Sequence, residues 1–181
     1  IRTVRALLYI GTDPNCRLEG NYTPLHFAVC SKQGDRKQAD IVQTLIEKGA
    51  NSELKTNFGW TALHQAAANA KIKTAQILLQ NKADPNCQNV DQNTPLHLAT
   101  LHIDDEVKQA EMVDLLIAQG ASINVNGCQG RSPLHDASMK ARIKTAKILL
   151  QNNADPNYQD EDQNTPLHLA TWYVDDEVKQ A

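Results

Sequence analysis

The chain has 181 residues, a formal net charge of −3, 41% hydrophobic residues and only 4% aromatic residues. This composition allows a packed aliphatic core, but it gives no basic face for nucleic acid or for an anionic membrane surface. No apolar run reaches about 18 residues, so no membrane insertion is predicted. The first segment, IRTVRALLYI, is predicted to be an amphipathic helix rather than a signal peptide, because no small-residue cleavage site follows it.

Five short motifs of the form TPLHxA, or a close variant, divide the rest of the chain into units. These anchors start at Thr23, Thr61, Thr94, Ser132 and Thr165. Thr or Ser there is predicted to cap a helix, and Pro follows at the first helical position in four of the five. Long and short spacings alternate between the anchors, so one long and one short unit together form a repeating doublet. Residues 70–110 and 141–181 are identical at 32 of 41 positions.

Each unit is predicted to contain two helices. The anchor buries its Leu and Ala on one face of a short first helix, and a second helix follows, as in IKTAQILLQ at residues 72–80. The second helix of the long units ends at Gly49 or Gly120, which suits a left-handed cap. Short units have Lys82 or Asn153 there, and Lys82 should cost on the order of 1 kcal/mol in that conformation.

Two further segments complete each unit. The ADPN segments and polar runs such as QNVDQN are predicted to form turns that return the chain to the next anchor. The long units carry five extra residues in 32–38, in 103–109 and in the matching stretch from Val174. The charge order of DDEVKQA predicts a second helix extended by more than one turn at its N-terminal end, with a protruding loop as the alternative.

This pattern resembles the ankyrin repeat over the whole chain. The resemblance implies an all-α solenoid of stacked helix-turn-helix units with short β-hairpin fingers, in one domain. The expected units are a partial repeat at 1–20, full repeats at 21–58, 59–91, 92–129 and 130–162, and a partial repeat at 163–181. The chain starts inside one second helix and stops near another, so we expect a fragment of a longer protein.

The family usually has Gly two residues before the anchor, as at Gly59 and Gly130. Where this chain departs from that pattern, the finger backbone is expected to differ. The departures are Asn21, Gln92 and Gln163.

No pattern of catalytic or metal-binding residues stands out. The resemblance implies that the anchor histidines bond finger backbone, and ADPN lacks the ligand series of a calcium loop. No phosphate-binding loop, nucleophile elbow or HExxH motif occurs, so no enzyme activity and no cofactor are expected. Cys16, Cys30, Cys87 and Cys128 form no CxxC pair, which favours a reducing compartment and therefore the cytoplasm.

Ankyrin proteins usually bind partners on a concave face made of finger tips and first helices, so the resemblance implies contact positions here. The predicted partner-binding residues are Glu19, Tyr22, Asn57, Phe58, Trp60, Asn69, Val90, Asp91, Asn93, Leu101, His102, Gln129, Arg131, Met139, Lys140, Glu161, Asp162, Asn164, Trp172 and Tyr173. In the two near-copies, three of five such positions differ, against six of the other 36. Five of the eight aromatic residues lie on these positions, although Phe58 and Trp60 could instead pack between fingers.

We therefore expect a non-enzymatic scaffold that binds another protein and is itself monomeric, with end-to-end stacking of terminal repeats as a further possibility. The alternatives are the targeting module of a larger enzyme, effector or channel, and a structural spacer. The near-identical copies and the frequent Asn, Gln, Lys and Ile also resemble the ankyrin proteins of intracellular bacteria. Some of those act on host proteins, which would place the chain in the host cytosol.

Overall fold

A computed structural model describes the backbone of residues 2–178 and the side chains of residues 2–172. This part of the chain forms ten α-helices joined by turns and contains no β-strand. The helices are α1 (Arg2–Tyr9), α2 (Pro24–Cys30), α3 (Asp35–Glu47), α4 (Ala62–Ala68), α5 (Ile72–Gln80), α6 (Pro95–His102), α7 (Glu106–Ala118), α8 (Pro133–Met139), α9 (Ile143–Gln151) and α10 (Pro166–Val178). The all-α class predicted from the repeats is confirmed.

The helices stack in two layers. The first helices α2, α4, α6, α8 and α10 each contact the next one, and so do the second helices α3, α5, α7 and α9. The core lies between the layers and is aliphatic. It includes the Leu and Ala of four anchors, at Leu25, Ala28, Leu63, Ala66, Leu96, Ala99, Leu134 and Ala137. Each buried Leu removes apolar surface from water and contributes roughly 1.5–3 kcal/mol.

The extra residues of the long units lengthen the second helix. Helices α3 and α7 have 13 residues each, whereas α5 and α9 have nine. All four end at equivalent positions, so the four additional residues lie at the N-terminal end and form slightly more than one turn. The helical interpretation is confirmed for these two units. In the last unit, residues 174–178 continue the first helix α10, so the predicted start of a second helix there is wrong for these residues, and the rest of the stretch lies outside the described part.

The second helices end in the left-handed conformation predicted for them. Gly49 and Gly120 have φ of 90° and 89°, and the non-glycine residues Lys82 and Asn153 have φ of 67° and 68°. Asn reaches this region more readily than Lys, because its short polar side chain can bond locally. Lys82 is therefore a site of stored backbone strain.

The ADPN segments form the predicted turns and also join neighbouring units. In the related TDPN segment at residues 12–15, Oδ1 of Asp13 accepts a hydrogen bond from the N–H of Asn15 at 2.8 Å. The Asn15 side chain then reaches the next unit, where it donates to the carbonyl of Gly49 at 2.9 Å and accepts from the N–H of Asn51 at 2.8 Å. Asn86 makes the same pair of bonds one doublet later. The sequence interpretation found the turn but missed this link between units.

Two findings bear on the surroundings of the protein. Over the backbone that the structure describes, every helix is too short or too polar to cross a membrane. All four cysteines are free thiols; Cys87 is buried, and the other three are exposed.

Candidate functional site

Five tight turns, called fingers below, connect the second helix of one unit to the anchor of the next. In the second finger, the N–H of Thr56 donates to the carbonyl of Trp60, and the N–H of Gly59 donates to the carbonyl of Thr56. The same two bonds close the other fingers, at residues 18–22, 89–93, 127–131 and 160–164. The fingers therefore share one backbone frame.

The position two residues before the anchor is left-handed in every finger. Gly59 and Gly130 have φ of 74° and 69°, and Asn21, Gln92 and Gln163 have φ of 60°, 63° and 63°. The predicted difference in backbone at these three residues is therefore wrong, because the closing hydrogen bonds impose the conformation whatever the residue is. The fingers differ instead one residue earlier, where only two of them are also left-handed. Those residues are Gly20 and Gln129, with φ of 76° and 60°.

The imidazoles of the first four anchors each join their helix to the next finger. The N–H of Thr61 donates to Nδ1 of His64 at 3.1 Å, and Nε2–H of His64 donates to the carbonyl of Asn93 at 3.0 Å. The equivalent bond of 3.0 Å is made by His26, His97 and His135. This confirms the role that the resemblance implied. Burial lowers the pKa of His64 and of His97 to about 4, so both imidazoles are neutral near pH 7.

In the described part of the chain, Cys87 is the one thiol within hydrogen-bonding distance of an anchor histidine. Its Sγ lies 3.6 Å from Nδ1 of His64 and 3.6 Å from Oγ1 of Thr61. Burial raises the pKa of the Cys87 thiol to about 11, so it stays protonated and is a poor nucleophile. Among residues 2–172, no three His, Cys, Asp or Glu side chains come together in a way that could hold a metal ion.

Backbone hydrogen bonds tie successive finger tips together. The N–H of Asn57 donates to the carbonyl of Gly20 at 2.9 Å, and the N–H of Val90 donates to the carbonyl of Phe58 at 3.1 Å. Between the third and fourth fingers a side chain replaces the carbonyl, since the N–H of Cys128 donates to Oδ1 of Asn93 at 3.0 Å. The tips therefore form one connected edge.

Eighteen of the twenty predicted partner-binding residues have exposed or half-buried side chains, and these eighteen define the finger–helix surface. Twelve have exposed side chains: Glu19, Asn57, Phe58, Asn69, Val90, Asp91, His102, Gln129, Lys140, Glu161, Asp162 and Trp172. Six are half-buried: Tyr22, Trp60, Leu101, Arg131, Met139 and Asn164. Asn93 is only 8% exposed and joins two fingers, so we leave it out of this surface. The side chain of Tyr173 lies outside the described residues.

The aromatic residues of this surface differ in how far their side chains are exposed to solvent. Phe58 is 62% exposed at a finger tip and Trp172 is 71% exposed on α10. Trp60 is half-buried, with its ring 6.2 Å from that of His64. Tyr22 is half-buried as well, with its ring 5.8 Å from that of Phe27. Packing within the array therefore accounts for Trp60 and Tyr22, but not for Phe58 or Trp172.

Two buried polar residues of this region were missed from the sequence. Gln65 and Asp136 occupy the same position in the first helices of the two short units, where they are 5% and 3% exposed. Oε1 of Gln65 and Oδ2 of Asp136 have no hydrogen-bond partner within the described structure. Their recurrence one doublet apart, at a position that is Leu or Phe in the long units, was the available signal.

The stacked units and their fingers agree with the comparisons to known proteins. The family model described as ankyrin repeats (3 copies) matches residues 1–89, 35–126, 72–160 and 105–179. The chain belongs to the ankyrin-repeat family. Ankyrin repeats are protein-interaction modules, so the family implies a protein partner.

Curated ankyrin-containing relatives are much longer than this chain. It is 32% identical over 158 residues to the nuclear factor NF-kappa-B p105 subunit of Gallus gallus, covering 86% of this chain and 15% of that protein. It is 30% identical over 196 residues to neurogenic locus notch homolog protein 1 of Danio rerio, covering 87% of this chain and 8% of that protein. It is 34% identical over 134 residues to neurogenic locus notch homolog protein 1 of Xenopus tropicalis, covering 74% of this chain and 5% of that protein. The ankyrin-repeat chain thus spans under a sixth of each of these proteins.

Proposed function

We propose that this ankyrin-repeat chain is a non-enzymatic scaffold that binds a partner protein through its finger–helix surface. The observation that carries the proposal is the exposure of large apolar side chains along that surface. Phe58, Val90 and Trp172 are 62%, 61% and 71% exposed. Aromatic anchors of this kind dominate the binding free energy of many protein interfaces.

The mechanism that we propose is rigid presentation. Backbone bonds close each finger, an anchor imidazole ties four of the five fingers to the first helix before them, and further bonds join neighbouring tips. Side chains on such a frame lose little backbone freedom when a partner binds. Association therefore costs less ordering entropy than it would for a flexible loop.

The test is a selection of binders from a library of phage-displayed peptides, followed by measurement of Kd for the chain and its variants. Phe58→Ala and Trp172→Ala should each weaken binding by about 2 kcal/mol, which is roughly thirtyfold in Kd. Val107→Ala is the matched control, since Val107 is 67% exposed but lies on α7, a second helix that contributes no residue to this surface. The control should bind like the parent.

Two outcomes would count against the proposal. Binders that tolerate both alanine variants would place the contact elsewhere on the molecule. A library that yields no binder would favour the structural spacer instead.

A second proposal is that the scaffold serves as the recruiting module of a larger protein. It is supported by the short span of this chain in its relatives, which is 15% of the p105 subunit and 8% of the zebrafish notch homolog. The sequence of the gene on either side of the repeats would test it. An open reading frame that encodes only repeats would contradict it.

The free cysteines support a cytoplasmic location. Cys16, Cys30 and Cys128 are exposed thiols, and exposed thiols persist best in a reducing compartment. We propose that the chain is monomeric there, and sedimentation at micromolar concentration would test this. If the chain sediments as a dimer, the exposed apolar residues of the terminal helices become the candidate dimer interface.

A further inference from the structure

The segment that leads into the second helix of the first long unit differs in charge from its copies. Residues 32–37 read KQGDRK, with three cations and one carboxylate, so their formal charge is +2. The equivalent residues one doublet later, 103–108, read IDDEVK, with three carboxylates and one cation, so their charge is −2. The next copy, VDDEVK at residues 174–179, has the same charge of −2. The first long unit therefore presents cations where the later units have carboxylates.

Hydrogen bonds join this segment to the start of the neighbouring helix α5. Oδ2 of Asp35 accepts from the N–H of Lys73 at 2.8 Å, and Oδ1 accepts from the N–H and the hydroxyl of Thr74 at 3.1 and 2.8 Å. The one carboxylate of residues 32–37 is therefore engaged by the N-terminus of α5. The contact also brings two more cations to this place, namely Lys71 and Lys73.

An open groove extends over both segments. One part of it, of about 580 Å³, is lined by Asp35, by residues 69–73 and Gln76, and by Lys108 and Glu111 on α7. A second part, of about 700 Å³, is lined by residues 32–37, so Asp35 borders both parts. The groove forms here because α5 lies between α3 and α7, and its start is recessed by the extra turn of those longer helices.

Five of the six cations that line this space define the basic groove: Lys32, Arg36, Lys37, Lys71 and Lys73. The side chains of residues 2–172 form three ion pairs, and none of the three includes any of these five cations. Lys71 is half-buried, and the other four are exposed. Only two carboxylates line the same space, those of Asp35 and Glu111, so cations are in excess. Clustered cations with few counter-charges attract anionic ligands.

The chain itself neutralises the matching cations of the next doublet. Nη2 of Arg142 lies 2.8 Å from Oδ1 of Asp104. Nζ of Lys144 lies 3.2 Å from Oε2 of Glu106. Arg142 and Lys144 are the copies of the two α5 cations of the basic groove. In the first long unit Gln33 stands at the position of Asp104 and cannot form the ion pair. The same frame therefore holds counter-charges in one copy and lacks them in the other.

We propose that the basic groove binds an acidic segment of a partner protein, which presents two or three closely spaced Asp or Glu carboxylates. These carboxylates pair with the groove cations as Asp104 and Glu106 pair with their cations in the next doublet. The groove lies where first helices end and second helices begin, whereas the fingers lie where second helices end. It is therefore a second surface, and it adjoins the finger–helix surface at Asn69.

The charges around the groove favour a short peptide over a long polyanion. Glu111 lines the groove on its α7 side, and Asp105 lies there as well, 3.3 Å from Nζ of Lys108. A nucleic-acid strand or an anionic bilayer laid over the groove would also meet these carboxylates and would be repelled by them. A peptide with a few acidic residues can contact the cations alone.

The test is fluorescence anisotropy with a labelled peptide in which three glutamates alternate with glycines. Salt is held at about 0.1 M, so that charges more than about 10 Å apart are screened. The glutamate peptide should bind saturably, and the same peptide with glutamine in place of glutamate should not. The double variant Lys71→Gln, Lys73→Gln should raise Kd about fivefold, because two ion pairs are lost.

The matched control is the double variant Arg142→Gln, Lys144→Gln, which removes the same charge from the copies that already have carboxylate partners. It should leave Kd unchanged. Equal losses in the two double variants would show that the peptide responds only to net charge, and this would overturn the proposal.

Two further outcomes would also overturn it. One is saturable binding of the glutamine peptide with the same Kd. The other is tighter binding of a single-stranded oligonucleotide of equal charge, which would make the groove a nucleic-acid site. Phe58→Ala should leave Kd for the glutamate peptide unchanged, because Phe58 is at a finger tip. A chain that selects peptides from the library but ignores the glutamate peptide keeps the scaffold function and loses this groove.

Discussion

The hydroxyl of Thr145 donates a 2.7 Å hydrogen bond to Oε1 of Gln109, and both residues are fully buried. Nε2 of Gln109 donates in turn to the carbonyls of Thr100 and Ile103, at 2.9 and 3.0 Å. One side chain therefore satisfies the carbonyls at the end of α6 and holds α9 of the next unit. Gln109 lies in the first turn of the extended helix α7, so the extra residues of the long unit supply the side chain that makes these buried hydrogen bonds.

Gln109→Ala should destabilise the chain by about 3 kcal/mol, because it leaves buried carbonyls and one hydroxyl without partners. The free energy of unfolding in urea is the measurement. Gln38→Ala is the comparison in the first long unit, where Nε2 bonds the carbonyls of Val29 and Ser31 but Oε1 has no partner within the described structure. Its loss should be smaller. Equal losses would show that the bond to Thr145 contributes nothing.

Lys82→Gly should stabilise the chain, since Lys82 has φ of 67° and glycine adopts this region without strain. Relief of the left-handed conformation outweighs the greater freedom of glycine in the unfolded chain, for a net gain of about 0.5–1 kcal/mol. Asn153→Gly is the matched change, at φ of 68° in the next short unit. Asn tolerates the conformation, so little gain is expected there. Thermal unfolding of both variants checks the difference, and equal shifts in Tm would contradict the strain argument.

The helices and their ends were predictable because they depend on local chemistry. Caps, proline at the first helical position and aliphatic spacing act within a few residues, and the anchors repeat them in register. The buried hydrogen bond between Thr145 and Gln109 was not predictable, because the two residues are 36 positions apart in the sequence. In sequence, a glutamine in a helix is typical of an exposed face, and only the packed units show that this one is buried.

The candidate surface was predictable only in outline. Position relative to the anchor distinguished finger tips from core, but it could not distinguish Phe58, which is exposed, from Trp60, which packs near His64. Nor could it show that Asn93 turns inward to receive the N–H of Cys128. These outcomes depend on how neighbouring fingers approach each other. A Cβ on Gly127 would lie 2.6 Å from Oδ1 of Asn93, which shows how close that approach is.

Asn86→Ala should cost on the order of 1–2 kcal/mol in stability, because the side chain bonds the next unit twice. It donates to the carbonyl of Gly120 at 3.0 Å and accepts from the N–H of Ser122 at 2.7 Å. Asn157 is the copy one doublet later, and its side chain makes no hydrogen bond to residues that the structure describes. Asn157→Ala should therefore change stability by only a few tenths of a kcal/mol. Urea denaturation of the two variants gives the comparison, and similar losses would refute the bridging role.

The buried ionisable groups predict a pH dependence with two opposed parts. Burial lowers the pKa of His64 and of His97 from 6.5 to about 4. Their contribution to the free energy of unfolding is therefore complete above pH 6.5 and is lost as the pH falls through 4. Each loss is on the order of 3 kcal/mol. Burial raises the pKa of Asp136 from 3.8 to about 7. Its contribution to the free energy of unfolding is therefore complete below pH 3.8 and is lost as the pH rises through 7. Between pH 4 and 6.5, two histidines therefore oppose one carboxyl.

Asp136→Leu should separate these two parts. The variant should be more stable than the parent above pH 7, where the parent has an ionised carboxyl in an apolar site, and this advantage should shrink as the pH falls toward 4. Its own loss of stability on acidification should be steeper, by about 1.4 kcal/mol per pH unit, because the opposing carboxyl is absent. Urea denaturation at half-unit steps from pH 4.5 to 8 measures both quantities. An advantage that stays constant with pH would mean that Asp136 does not titrate in this range and that its cost comes from packing alone.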